Sequence, residues 1–252
     1  MSAADPAPLG TALGTALVTG GTSGIGLAIA RGLVARGFGV VATGRERPEA
    51  ELGERIVFLE ADHAAPDAAE SVAARLGEPF GPLTALVNNV GRRHNDTIAE
   101  LDRDSLLETL ALNTVSHMLL TSRLAERLGA ARGAVVNVSS RLAVVGMAGV
   151  SGYAASKGAL NAFTVAAAVE LAPLGVRVNA VAPGMTKTPL IESWLADQPD
   201  PAAAEQEVAG RVPLGRLASP GDIAGAAVFL ASPESGYITG AILPADGGYT
   251  VS

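Results

Sequence analysis

The chain has 252 residues, 48% of them hydrophobic and only 4% aromatic, with 30 glycines and no cysteine. That length suits one α/β domain, residues 1–252, with a core of Ala, Val, Leu and Ile, and the lack of cysteine excludes disulfides and thiolate metal sites. A net charge of −7 disfavours nucleic acid as a partner, and no apolar run reaches the ~18 residues of a membrane span. Residues 1–14 are rich in Ala and Pro without a basic region or a long apolar stretch. They read as a loose tail rather than a signal peptide, and the expected location is the cytoplasm.

Strand-like runs follow at Thr15–Thr19, Gly39–Thr43, Ile56–Glu60, Leu83–Asn88, Ala134–Ser139, Val176–Val181 and Ala241–Pro244. Between them lie helix-length segments at Gly24–Arg36, Pro66–Leu76, Arg103–Leu128, Tyr153–Ala172 and Pro220–Ala231. Such alternation predicts right-handed crossovers and a doubly wound parallel sheet of about seven strands with helices on both faces. Pro173 and Gly175 supply the stop for the Tyr153 helix. Thr186–Val212, with three prolines and the only tryptophan, Trp194, reads as an irregular excursion over a substrate site.

The first strand–helix junction is Thr19-Gly20-Gly21-Thr22-Ser23-Gly24-Ile25-Gly26. Glycines there allow a tight turn and close approach to a pyrophosphate, which the helix N-terminus stabilises. No Gly-Lys-Ser/Thr follows, so a P-loop is disfavoured. At the end of the second strand a carboxylate would take the adenosine ribose, whereas an arginine accommodates a 2′-phosphate. Here that strand ends in Gly44-Arg45, which favours NADP(H) over NAD(H). Glu46 beside it allows the alternative of a solvated, neutralised arginine, and Arg47 is a second candidate.

The chain has three tyrosines, and two of its residues are lysines. One of each falls at Tyr153 and Lys157, positions i and i+4 on one helix face. An ammonium there is expected to pull the phenol below its usual pKa of ~10 and make it a general acid/base.

Together these residues resemble the short-chain dehydrogenase/reductase family over about Thr15 to Gly248. The motifs, in order, are Thr19–Gly26, Asp62, Asn88-Asn89-Val90-Gly91, Asn113, Ser139-Ser140, Tyr153/Lys157, Pro183-Gly184 and Asp246-Gly247-Gly248. One departure is Val90, where the family usually has Ala. The resemblance implies a Rossmann-type α/β fold, in the single-domain branch that resembles 3-oxoacyl-(acyl-carrier-protein) reductases. It also implies a catalytic set of Asn113, Ser140, Tyr153 and Lys157. Tyr153 would exchange the proton, Ser140 would hydrogen-bond the same substrate oxygen, Lys157 would hold the nicotinamide ribose, and Asn113 would anchor a water behind Lys157. Cofactor contacts would come from Gly20, Thr22, Ser23, Gly24, Ile25, Gly26, Arg45, Asp62 and His63, then Asn89, Gly91, Tyr153, Lys157, Pro183, Gly184, Thr186 and Thr188. The family further implies a homodimer or homotetramer, pairing through the Tyr153 helix and the long helix before it.

Substrate walls in such folds come from loops at the carboxyl ends of strands. Arg92, Arg93, His94 and Arg141 make a basic group in an acidic chain, and Arg suits bidentate pairing with a carboxylate or phosphate. Arg92, His94, Arg141, Met185 and Trp194 are the candidate substrate contacts, with solvated loop arginines and a packing tryptophan as the alternatives. Asn88 is expected to tie strands together, and His63 and His117 lack the neighbours of a metal site. The reading is an NADP(H)-dependent oxidoreductase interconverting a ketone and a secondary alcohol, on a 3-oxoacyl or other anionic substrate. The alternatives are a non-catalytic dinucleotide-sensing or scaffold protein on this fold, and an isomerase or dehydratase with bound nicotinamide.

Overall fold

A computed structural model describes residues 12–252 apart from 78, 79 and 96; all but three residues of the expected N-terminal tail lie outside that range. Seven strands form one parallel sheet in the order β3-β2-β1-β4-β5-β6-β7. They are β1 (Thr15–Val18), β2 (Gly39–Gly44), β3 (Ile56–Glu60), β4 (Leu83–Asn88), β5 (Ala134–Val138), β6 (Arg177–Pro183) and β7 (Ile242–Ala245). The helices are α1 (Gly24–Arg36), α2 (Ala68–Arg75), α3 (Arg103–Leu110), α4 (Ser116–Ala130), α5 (Ser151–Leu171), α6 (Pro189–Ala196), α7 (Pro201–Ala209) and α8 (Pro220–Ala231).

Successive strand residues face opposite sides, and the core follows that alternation. Ala16 and Val18 of β1 pack with Ile29 and Leu33 of α1 and Ile223 and Ala227 of α8. Leu17, between them, packs with Val72 of α2, Leu120 and Leu124 of α4, and Ala167 of α5. Asn88 crosses between strands as expected, donating to Asn137 Oδ1 at 2.9 Å and Thr121 Oγ1 at 3.1 Å. The order of winding reverses between β1 and β4, which opens a crevice at their carboxyl ends.

Two expectations are corrected. The single helix expected over Arg103–Leu128 is interrupted by a π-helical turn at Ala111–Val115, between α3 and α4. Nor is Thr186–Val212 irregular, because it holds α6 and α7. Pro189 and Pro201 stand at the starts of those helices, where a missing N–H costs nothing and the fixed φ favours the first turn.

Candidate active site

The crevice holds a cleft of about 650 Å³ running from the glycine turn past Arg45 and Asp62 to Gly91 and Thr188. Gly20 and Gly24 have φ of 60° and 50°, a region open to glycine. A Cβ on Gly26 would stand 2.1 Å from the Gly20 carbonyl oxygen. The turn can therefore keep α1's first N–H groups turned toward the cleft, and α1 has no acidic residue in its first turn. This cradle fits a pyrophosphate.

Hydrogen bonds fix the cradle from both sides. Asn89 Nδ2 donates to the carbonyls of Thr19 at 2.9 Å and Gly20 at 3.2 Å, while Thr19 Oγ1 accepts from the N–H groups of Asn89 and Val90. His63 is buried with its Nε2 2.7 Å from Thr43 Oγ1, which also accepts from Gly20 N. Burial lowers its pKa to about 4, against a small opposing effect of Asp62. His63 therefore stands in the cleft wall as a neutral support for Thr43, which links β2 to the glycine turn. Asp62 is exposed at the rim, with Oδ1 accepting from Ala64 N at 3.0 Å. Arg45 and Thr22 border the cleft at the tip of β2, and a Cβ on Gly44 would lie 2.9 Å from Thr22 Oγ1.

Where the cleft ends, a pocket of about 270 Å³ brings together Ser140, Tyr153, Lys157, Pro183, Gly184, Met185, Thr186 and Thr188. Tyr153 and Lys157 project from the first turns of α5. Lys157 is 3% exposed, donates from Nζ to the Val138 carbonyl at 2.8 Å, and lies 6.0 Å from the Tyr153 ring centroid. Burial brings its pKa down to about 8. The Tyr153 phenol is pushed above its ordinary value by burial, with a hydrogen bond to Ser140 and the charge of Arg93 pulling the other way. This corrects the expectation of a lowered phenol: desolvation prevails, and the opposing cation is Arg93 rather than Lys157. Ser139 Oγ is engaged with Asn161 Oδ1 at 2.6 Å, whereas Ser140 Oγ accepts from the Leu142 N–H at 3.1 Å and is also hydrogen-bonded with Tyr153.

Asn113 sits in the π turn, buried. Its Oδ1 accepts from Arg92 N at 2.9 Å, and its Nδ2 donates to Arg92 O at 2.9 Å and Ser156 Oγ at 3.0 Å. It clamps the loop after β4 to α5. A Cβ on Gly91 would fall 3.0 Å from Asn113 Oδ1 and 3.5 Å from Lys157 Nζ, so glycine keeps that approach open.

A further cavity of about 570 Å³ adjoins the Tyr153 pocket and shares Arg93, Arg141, Met185 and Ile191 with it; Trp194 and Tyr249 complete its wall. Of the candidate substrate contacts, Arg141, Met185 and Trp194 are brought together here. His94 lines none of the three cavities, and Arg92, at the rim of the first two, is ion-paired with Glu108. In this stretch Arg93 and Asn95 face the far cavity while Arg92 and His94 do not, the alternation of an extended chain. Neither Tyr249 nor Ser156 is singled out by the sequence reading, because each acts through a contact distant in the chain. Among the described residues, no cluster of His, Asp and Glu is arranged to hold a metal.

The cleft and the pocket at its inner end fit an oxidoreductase that works with a nicotinamide cofactor. A family model described as enoyl-(acyl carrier protein) reductase matches residues 20–250, and the chain belongs to the short-chain dehydrogenase/reductase family. It is 38% identical to a cis-4-hydroxycyclohexanecarboxylate dehydrogenase of Sinomonas cyclohexanicum, over 93% of this chain and 96% of that one. The fold is similar to the crystal structure of Cj0485 dehydrogenase, with a TM-score of 0.91, 30% identity and 97% of each chain covered. It is also similar to ElxO with NADP bound, with a TM-score of 0.87, 27% identity, and 95% of this chain and 99% of that one covered. The protein is thus an enzyme of the class that oxidises CH–OH groups or reduces the corresponding carbonyls, and its substrate is a small molecule. Among the described residues, no helix is long and apolar enough to cross a membrane.

Proposed function

We propose that the enzyme interconverts a ketone and a secondary alcohol, using NADP(H) and Tyr153 as the general acid/base. The observation that carries this reading is the convergence of the Tyr153 phenol, the Ser140 hydroxyl and the buried Lys157 ammonium on one pocket continuous with the glycine-turn cleft. A bound nicotinamide supplies or accepts the hydride. Tyr153, whose burial keeps it protonated at neutral pH, donates to the carbonyl oxygen in reduction and takes the proton back in oxidation. Ser140 hydrogen-bonds the same oxygen as charge develops on it. Lys157, fixed on the Val138 carbonyl, presents its remaining N–H groups to the cofactor ribose. Asn113 holds the loop that borders both.

NADP(H) is favoured because the tip of β2 offers Thr22 and Arg45 around Gly44, and Gly44 has no side chain to repel a 2′-phosphate. ElxO binds that cofactor on a similar fold. The faces of α4 and α5 expose Met118, Leu119, Val165 and Val169 together with Ala155, Ala159, Ala162 and Ala166. We read them as the seam of a homodimer, alone or within a tetramer. The test is a screen of ketones from several classes with NADPH and with NADH, repeated with Arg45→Ala. The expected result is a ketone-dependent loss of NADPH, with Arg45→Ala weakening NADPH by about 10–100-fold, the range of a charge-assisted hydrogen bond, and sparing NADH. Equal use of both cofactors by the wild type would refute the preference. A tightly held cofactor with no net oxidation would point instead to an isomerase or dehydratase.

A further inference from the structure

Arg141 is only 9% exposed, yet among the described residues it has neither an ion pair nor a side-chain hydrogen bond. Among the described residues, its side chain's specific contact is the Tyr249 ring, 3.7 Å from the guanidinium carbon to the ring centroid. Such stacking satisfies a guanidinium face and leaves its edge N–H groups unanswered. A buried, unpaired cation is costly, so its surroundings bear on its role.

Among the described residues, neither carboxylate of the cavity, Asp246 or Glu207, pairs with it. Asp246 Oδ1 accepts from Gly248 N and Oδ2 from Thr250 N, both at 3.0 Å. Gly247 and Gly248 supply the left-handed φ values of 67° and 89° that the turn requires. The carboxylate is thereby engaged in fixing the segment that carries Tyr249. The cavity's other acid, Glu207, is ion-paired with Arg211. Arg93 shares the cavity, and its pKa is lowered by burial and by the charge of Arg141, while Tyr153 acts in the opposite sense. Arg93 and Arg141, with Glu207-paired Arg211 beyond them, thus adjoin one cavity that opens onto the catalytic phenol, and the other walls include Met147, Met185, Ile191 and Trp194.

We propose that Arg141, assisted by Arg93 and oriented by Tyr249, is the recognition point for an oxyanion on the substrate. The substrate class is then a compact ketone or secondary alcohol bearing a carboxylate or a phosphate, its carbon skeleton against the apolar wall. The inference rests on the Tyr153-centred reading for where the reacting carbon lies, but anion binding is separable from turnover.

The test is calorimetry on the full chain saturated with NADP⁺, which occupies the phosphate sites of the cofactor cleft. The probes are cyclohexanecarboxylate, cyclohexyl phosphate and the neutral cyclohexanecarboxamide. One of the anions should bind about 10–100-fold more tightly than the amide, the range expected for a charge-assisted pair, and the tighter one names the group. Arg141→Ala should erase that preference and Arg141→Lys should retain part of it, because the charge remains without the planar fork. Tyr249→Ala, which leaves both charges, should weaken the anion more than the amide. Equal affinity of anions and amide in the wild type, or an equal loss of all three in Arg141→Lys, would overturn the proposal. In parallel, 4-oxocyclohexanecarboxylate and its methyl ester are compared as substrates. Reduction of both without preference sinks the anion site alone; anion binding without reduction of any ketone sinks the Tyr153 reading alone.

Discussion

Lys157 carries a burden that its neighbours explain. It is buried beside the carbonyl end of β5, and desolvation brings its pKa from 10.5 to about 8. At neutral pH it remains largely charged, available to a ribose, and it loses that charge a little above. Because the chain has only two lysines, Lys157 and Lys187, a sample labelled with ¹³C at lysine Cε should give two resolvable signals. One of them should titrate with a midpoint near 8 and disappear in Lys157→Arg. A midpoint at the ordinary lysine value would contradict the desolvation described here. Tyr153 moves in the opposite direction for the same reason, since burial penalises the phenolate as it penalises the ammonium. In the cofactor-free enzyme the phenol is therefore protonated at neutral pH, the form that the proposed reduction needs.

At the scale of elements, the π turn at Ala111–Val115 is where the long helix gives up its regular ladder. Such turns recur at functional sites, and this one turns Asn113 into the gap between the Arg92 loop and Ser156 of α5. Asn113→Ala would leave the Arg92 N–H and C=O without their partners, at a cost of about 1–3 kcal/mol. Urea denaturation should show that loss, while unchanged stability would remove the clamp from the account. The strands and most helices were legible because apolar alternation and capping residues are local signals. The glycine turn was legible because its spacing follows a strand directly. A π turn carries no such mark: Asn113 could be singled out by motif, but its surroundings read as uninterrupted helix. The arginines were only half legible. Composition showed a basic group, but whether Arg92 or Arg93 faces the cavity depends on how one loop leaves β4, and the stack of Arg141 on Tyr249 joins residues more than a hundred positions apart.

Across the whole molecule, β2 is bound to the glycine turn through Thr43, whose hydroxyl is held by neutral His63, and this sets a pH dependence of stability. The folded pKa of about 4 lies below the ordinary histidine value of 6.5. The unfolded chain therefore binds the proton more readily, and stability is full above pH 6.5 and declines as pH falls toward 4. The loss approaches roughly 3 kcal/mol by linkage. His117, fully buried near Lys157, is shifted in the same direction and adds to it. Denaturation at stepped pH should show this slope in the wild type and a shallower one in His63→Gln; identical slopes would remove His63 as its source. The same contact would join stability to cofactor binding, because it holds Thr43 against the turn that we propose receives the pyrophosphate. The central claim, that a cofactor cleft delivers hydride to a carbonyl whose proton comes from Tyr153, is tested most directly with Tyr153→Phe. NADPH affinity and ketone-dependent NADPH consumption are measured on the same preparation. The account predicts cofactor affinity close to wild type with turnover reduced by at least about 10²-fold, the scale of general acid catalysis; turnover retained at wild-type rate would contradict it.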